Sequence, residues 1–156
     1  MSKQLSILIL FVLLGTLPRC NALIGEEVAR IPINQVTLDD NNLIVRETSL
    51  DLKKDEEISI WSDMDIEYDG DVALRFRMEI LKDGEYYGGL EIDPTDKNIT
   101  IGEVKTTIME KTDWSFSGKN SEIKIEENGN YTFKGILIAS ENPSLIVNKA
   151  EIVFRK

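Results

Sequence analysis

Residues 72–93, VALRFRMEILKDGEYYGGLEID, decide how this chain folds. Val72, Leu74, Phe76, Met78 and Ile80 alternate with Ala73, Arg75, Arg77, Glu79 and Leu81. A side-chain period of two belongs to an extended strand with one apolar face and one wet face. Lys82-Asp83-Gly84-Glu85 comes next. Asp-Gly accepts the positive φ that a two-residue hairpin turn demands, so residues 86–93 are expected to return as the partner strand. Gly88-Gly89 within it points to a bulge or a close backbone approach. Asp93-Pro94-Thr95-Asp96 then reads as a turn, with Pro94 setting φ.

The pattern extends both ways. Toward the N-terminus, residues 27–33, 43–48 and 58–68 have strand character, with a charge-dense connector at 51–57 that has room for a helical turn. Residues 23–36 read alternatively as an extended arm. Toward the C-terminus, strands are expected at 98–111, 114–117, 122–126, 131–139 and 145–154. Asn128-Gly129 predicts a second hairpin. Tyr131, Phe133, Gly135, Leu137 and Ala139 share one face of one strand. Ile146, Ala150, Ile152 and Phe154 are expected on one side of the last. No segment keeps helical apolar spacing. About eight or nine short strands separated by Gly, Pro, Asn and Asp predict an all-β fold, an antiparallel β-sandwich. A jelly-roll-like winding ranks ahead of a closed barrel.

The first 22 residues differ in kind. Met1-Ser2-Lys3-Gln4 is a short basic start, and residues 5–17 (LSILILFVLLGTL) are apolar. That run is shorter than the roughly 20 residues of a membrane span and matches the core of a signal peptide. Pro18 breaks it, and Cys20-Asn21-Ala22 sets small residues at −3 and −1 of a cleavage site after Ala22. The expected organisation is therefore a signal peptide over 1–22 and a single domain over 23–156. Cys20 offers a minority reading as the acylated residue of an outer-membrane-anchored lipoprotein. Leu17 fits that signal, whereas Arg19 stands where a small residue belongs. Either route exports the protein to the periplasm or the outside, with no transmembrane segment in the mature chain.

Composition removes several functions. The 156 residues contain 18 Lys+Arg against 28 Asp+Glu, a net charge of −10, with no histidine and one cysteine. Removing 1–22 takes away Lys3 and Arg19, leaving 16 basic against 28 acidic residues, or −12. A chain so acidic repels nucleic acid, which needs cationic neutralisation. Without imidazole there is no Ser-His-Asp or Cys-His catalysis, and a lone cysteine makes neither an internal disulfide nor a CxxC motif. At 42% hydrophobic residues the chain has material for a core.

Two sets of residues have the chemistry of a site. Asp63, Asp65, Glu67 and Asp69 occur at every second position, so a strand would present them on one face. Calcium takes six to eight oxygens from such groups, and 65–70 resembles the start of an EF-hand loop. The twelfth position of that loop is Phe76 rather than Glu, however, and an acidic solvent face explains the run more simply. Asp39-Asp40-Asn41-Asn42 reads as a loop. The second set is aromatic. Trp114 and Phe116 share a parity, and with Tyr86, Tyr87, Arg75 and Arg77 they would make a platform on which a sugar ring stacks while polar groups bind its hydroxyls. The competing reading is ordinary packing, stronger for Trp61 than for Trp114, which sits in a polar run. The expected function is a non-catalytic binding or interaction module of the periplasm or the cell exterior, possible partners being a glycan or a protein. The alternative is a structural or accessory cell-envelope protein working through protein contacts. Behind both stands a small carboxylate-dependent glycosidase. No cofactor is required, although calcium fits the acidic run.

Overall fold

A computed structural model describes residues 24–38 and 41–156. Among these are nine strands: β1 (Glu27–Pro32), β2 (Arg46–Leu52), β3 (Glu57–Asp69), β4 (Leu74–Lys82), β5 (Glu85–Ile92), β6 (Ile99–Ile108), β7 (Lys111–Lys124), β8 (Gly129–Ala139) and β9 (Ile146–Arg155). They form two antiparallel sheets, a larger one in the order β1-β9-β3-β7-β6 and a smaller one in the order β2-β8-β4-β5. Each sheet keeps two free edges, so the barrel alternative is not formed.

The sheets pack face to face in a sandwich-like arrangement, and alternation is the cause. In β3, Ile58, Ile60, Met64, Ile66 and Tyr68 point inward; in β4, Leu74, Phe76, Met78 and Ile80 do the same from the other sheet. Phe133 of β8 meets Phe154 of β9 with ring centroids 4.6 Å apart, which joins the layers. The layers are tightly packed at Gly135, where a Cβ would lie 3.0 Å from the Ile152 Cδ1 atom of the other sheet. Burying these branched and aromatic side chains from both layers is the main stabilising term, at about 25 cal/mol per Å² of apolar surface.

The β4–β5 hairpin forms as predicted, with Asp83 at φ 52° and Gly84 at φ 86°. Other expectations change. Residues 98–111 are not one strand: the chain reverses at Met109-Glu110, with Met109 at φ 57°, and β7 then runs unbroken through both short segments expected at 114–117 and 122–126. Asn128-Gly129 does not make a hairpin, because β7 and β8 lie in different sheets. That link crosses the sandwich, held by the Asn128 side chain on the Lys54 amide and by the Tyr131 hydroxyl donating to the Glu127 carbonyl. The β2 strand begins at Arg46 rather than at residue 43, and the connector closes as a tight turn with Asp55 at φ 69° rather than a helical one. The supposed arm is β1, paired with β9. A register shift near Asn148 in β9 turns Ile146 to the outer face, away from Ala150, Ile152 and Phe154.

The expected leader over 1–22, with Cys20, lies outside the described residues, as do Asp39 and Asp40. Among the described residues no helix is long and apolar enough to cross a membrane.

Candidate functional site

The outer face of the smaller sheet carries two adjacent rows of side chains, set by register. Residues directly opposite one another on neighbouring strands share a face. Glu47 of β2 is opposite Lys134 of β8, Lys134 is opposite Glu79 of β4, and Glu79 is opposite Gly89 of β5. Two residues along, Ile136 is opposite Arg77, and Arg77 is opposite Glu91. Grooves run over these rows. One of about 460 Å³ is lined by Leu43, Val45, Glu47, Arg77, Glu79, Lys134 and Ile136. The other, of about 400 Å³, includes Arg77, Glu79, Tyr86, Gly89 and Glu91. They share Arg77 and Glu79 and so adjoin at the middle of the sheet.

Tyr86 stands at one end, 71% exposed. Its hydroxyl would lie 3.7 Å from a Cβ at Gly89, so the side chain ends beside a position with no side chain of its own. The charges are matched within the face: Arg77 Nε is 3.6 Å from Glu91 Oε2, and Lys134 Nζ is 3.8 Å from Glu79 Oε2. Arg75, next along β4, donates from Nη1 to Asp93 Oδ2 at 2.7 Å. Burial pushes the Asp93 carboxyl up, but the Thr95 hydroxyl and amide and the Arg75 guanidinium outweigh it and hold the group below its usual value. Three of the expected ligand residues, Tyr86, Arg75 and Arg77, are thus on this side of the sheet.

The other three are not. Trp114 and Phe116 are on β7 of the larger sheet, facing its inner side, so a platform joining them to Tyr86 is not assembled. Phe116 is 3% exposed and belongs to the core. Lys97 Nζ sits 3.9 Å from its ring centroid, 4.7 Å from that of Trp114, and 2.9 Å from Glu103 Oε1. Trp114 is half-buried; its indole N–H donates to Glu103 at 2.8 Å, and Lys105 covers the ring at 3.9 Å. Both ring and carboxylate are occupied. Lys97 and then the indole hold the Glu103 carboxyl below the ordinary range. Tyr87 turns the other way from Tyr86 and meets Tyr131 edge-on at 5.4 Å.

The acidic run does form an outward ladder on β3, alternating with buried residues. Three of its carboxylates are engaged by bases and amides. Asp63 pairs with Lys149 at 2.9 Å, Asp65 accepts from Asn148 at 3.3 Å, and Glu67 pairs with Lys111 at 2.8 Å. The Lys111 and Asn148 hydrogen bonds hold Glu67 below its usual value. The Asp69 amide donates to Ser144 Oγ. Among the described residues no group of three or more acids gathers closely enough to hold a metal ion. Trp61, on the same outer face, is 1% exposed, donates to Ser59 Oγ at 3.1 Å and lies under the Arg155 guanidinium. The pocket beside it is about 190 Å³, less than half of either groove.

No family model, no curated protein and no solved structure matches this chain. Geometry alone therefore ranks the surfaces, and it favours the rows on the smaller sheet. Several of their members, Glu47, Glu91, Lys134 and Ile136, were not singled out in the sequence, and Gly89 was read only as a bulge or a close backbone approach. Glu79 shares the parity of Arg75 and Arg77, which places it on their face; which strands lie beside β4 is a tertiary matter.

Proposed function

We propose that the protein is a non-catalytic binding module that holds a glycan on the outer face of the smaller sheet. One observation carries this reading: the exposed Tyr86 side chain brings its hydroxyl to Gly89, beside rows of paired charges at Arg77, Glu91, Glu79 and Lys134. An aromatic face suits the C–H side of a sugar, and the charged groups supply donors and acceptors for its hydroxyls. Catalysis is the weaker reading. Two-carboxylate hydrolysis needs a free acid and base facing one cleft, whereas Glu79 and Glu91 of these rows each face a cation, Lys134 and Arg77. The strand orders β1-β9-β3-β7-β6 and β2-β8-β4-β5, with the chain crossing between sheets at every link except β4–β5 and β6–β7, support a jelly-roll winding. The leader-like run over 1–22 supports export to the periplasm or the cell exterior, with acylation at Cys20 as its variant.

The test is thermal unfolding of the protein against a glycan panel, with and without calcium. A ligand of the folded state at a hundred times its dissociation constant stabilises by about 2.7 kcal/mol. The expected result is a raised midpoint with one glycan class, lost in Tyr86→Ala. A rise with calcium alone would move the site to Asp63, Asp65, Glu67 and Asp69.

A second reading has its own observation. The edge strand β6 is exposed along its whole length, and the register puts Ile99, Ile101, Val104 and Ile108 on its outer face. An extended segment of a partner protein could add to that edge. No response to any glycan, together with a co-purifying partner lost in Ile101→Lys, would favour this reading.

A further inference from the structure

We infer that the site takes the interior of a neutral, unbranched oligosaccharide laid across the strands; this rests on the glycan reading above and names its ligand class. The direction follows from spacing. Successive rows on one face of a sheet are about 7 Å apart along the strands, whereas the strands themselves are about 4.8 Å apart. The wider valley lies between the row Glu47, Lys134, Glu79, Gly89 and the row Ile136, Arg77, Glu91. It runs perpendicular to the strands, under the grooves of about 460 and 400 Å³. Crossing four strands spans about 14 Å, the length of about three linked sugar units.

Both ends of the valley reach a sheet edge, since β2 and β5 are the outermost strands of the smaller sheet. At the β5 end, Gly89 contributes no side chain and Tyr86 offers a ring. At the β2 end, Leu43 and Val45 line the groove with Ile136 and offer apolar contact. Among the described residues no strand of the same sheet caps either end, which suits a ligand longer than the valley. Neutrality follows from the pairing. Arg77 faces Glu91, Lys134 faces Glu79, and Glu47 adds a further acid, which leaves no surplus cation for phosphate, sulfate or uronate. The net charge of −10 also opposes a polyanion.

The experiment is calorimetry of the full chain with unbranched neutral oligosaccharides of one to six units, drawn from the class that raises the unfolding midpoint. Matched anionic oligosaccharides and end-blocked versions serve as comparators. Affinity is expected to rise at least tenfold from one unit to three, to level off beyond that, and to ignore blocking of either end. Gly89→Leu fills the β5 end from a position whose nearest atoms, at 3.5 and 3.7 Å, leave ordinary room for a Cβ. It is expected to weaken the three-unit ligand tenfold with the unfolding midpoint unchanged. A single sugar binding as well as three, loss on end-blocking, or preference for the anionic series would overturn the inference and leave the glycan reading standing. No binding by any glycan would remove both.

Discussion

Lys97 lies along Gly118: a Cβ at residue 118 would be 2.4 Å from the Lys97 Cδ atom and 2.6 Å from its Cγ atom. The missing side chain is what lets the lysine stem cross β7 and set its ammonium over Phe116. In an ordinary strand position, Gly→Ala stabilises slightly by restricting the unfolded chain. Here the sign should reverse. Gly118→Ala is expected to destabilise by about 1–3 kcal/mol, the range for overpacking, as Lys97 is pushed off Phe116 and Glu103. Adding Lys97→Ala should recover part of that loss, because the clash disappears with the side chain. Chemical denaturation of the two single variants and the double gives the coupling directly.

Neighbouring tyrosines should behave oppositely. Tyr86 is exposed and stands on the wet face, so Tyr86→Ala should change stability by no more than about 0.5 kcal/mol. Tyr87 meets the buried Tyr131 ring edge-on, an interaction of about 0.5–1.5 kcal/mol beyond area, so Tyr87→Ala should be the more damaging. Urea midpoints of the two variants would settle the order; equal values would mean that the register of β5 differs from the one described.

A buried polar link should prove expensive to break. Ser62 is fully buried on the inner face, and its hydroxyl is 2.5 Å from Asn120 Oδ1. The Asn120 amide in turn reaches the Asp96 carbonyl at 2.7 Å and that of Pro94 at 3.2 Å. Asn120→Ala leaves the serine unpaired and frees the turn between β5 and β6. The expected loss is about 1–3 kcal/mol, and Ser62→Ala in the same chain should add less than it does alone. Hydrogen exchange should speed up at residues 93–98 in the single variant.

Joining the two layers depends on aromatic contact. Phe154 is fully buried and stacks on Phe133 from the opposite sheet. Phe154→Ala is expected to destabilise by about 3–5 kcal/mol, enough to unfold a marginal domain, as seen by circular dichroism at room temperature.

Acid should weaken the fold only at low pH. The carboxyls of Glu27, Asp93 and Glu103 all have folded pKa values below their ordinary ones. Groups depressed in this way contribute stability that is complete above the unfolded carboxylate range, about pH 4, and is lost as pH falls from there through their lowered folded values. Between pH 7 and the isoelectric point near 4.6, self-repulsion among the excess acids declines instead. The melting midpoint should therefore stay level or rise slightly from pH 7 to 5, then drop below about pH 4. A steady fall from pH 7 downward would show that some other group dominates.

The fold class was legible because alternation is local. In β3, β4 and β8 every second residue is apolar, Ser62 of β3 excepted, and burial of that face leaves little choice of which side turns inward. Asp83-Gly84 was legible for a similar reason, since its positive φ values are a property of two adjacent residues. Met109-Glu110 was not, because nothing in that pair asks for a turn; the pairing of β6 with β7 on either side imposes it. Asn128-Gly129 misled in the opposite direction. The residues permit a hairpin, but β7 had already found β3 and β6, and β8 pairs with β2 and β4.

The candidate site divides along the same line. Sequence alone determined that Arg75 and Arg77 share the wet face of their strand, that Asp63, Asp65 and Glu67 share another, and that histidine chemistry is excluded. Those are statements about one strand or about composition, and they depend only on the two-residue period of an extended chain. Tertiary structure alone decided that Tyr86 joins the arginines while Tyr87 does not, that Trp114 belongs to the other layer, and that Lys134 and Glu47 complete the row begun by Glu79 and Gly89. The physical reason is that neighbours across a sheet come from distant parts of the chain. A register shift, like the one between Ile80 and Leu81 opposite Gly88 and Tyr86, then reassigns faces without any change in residue type.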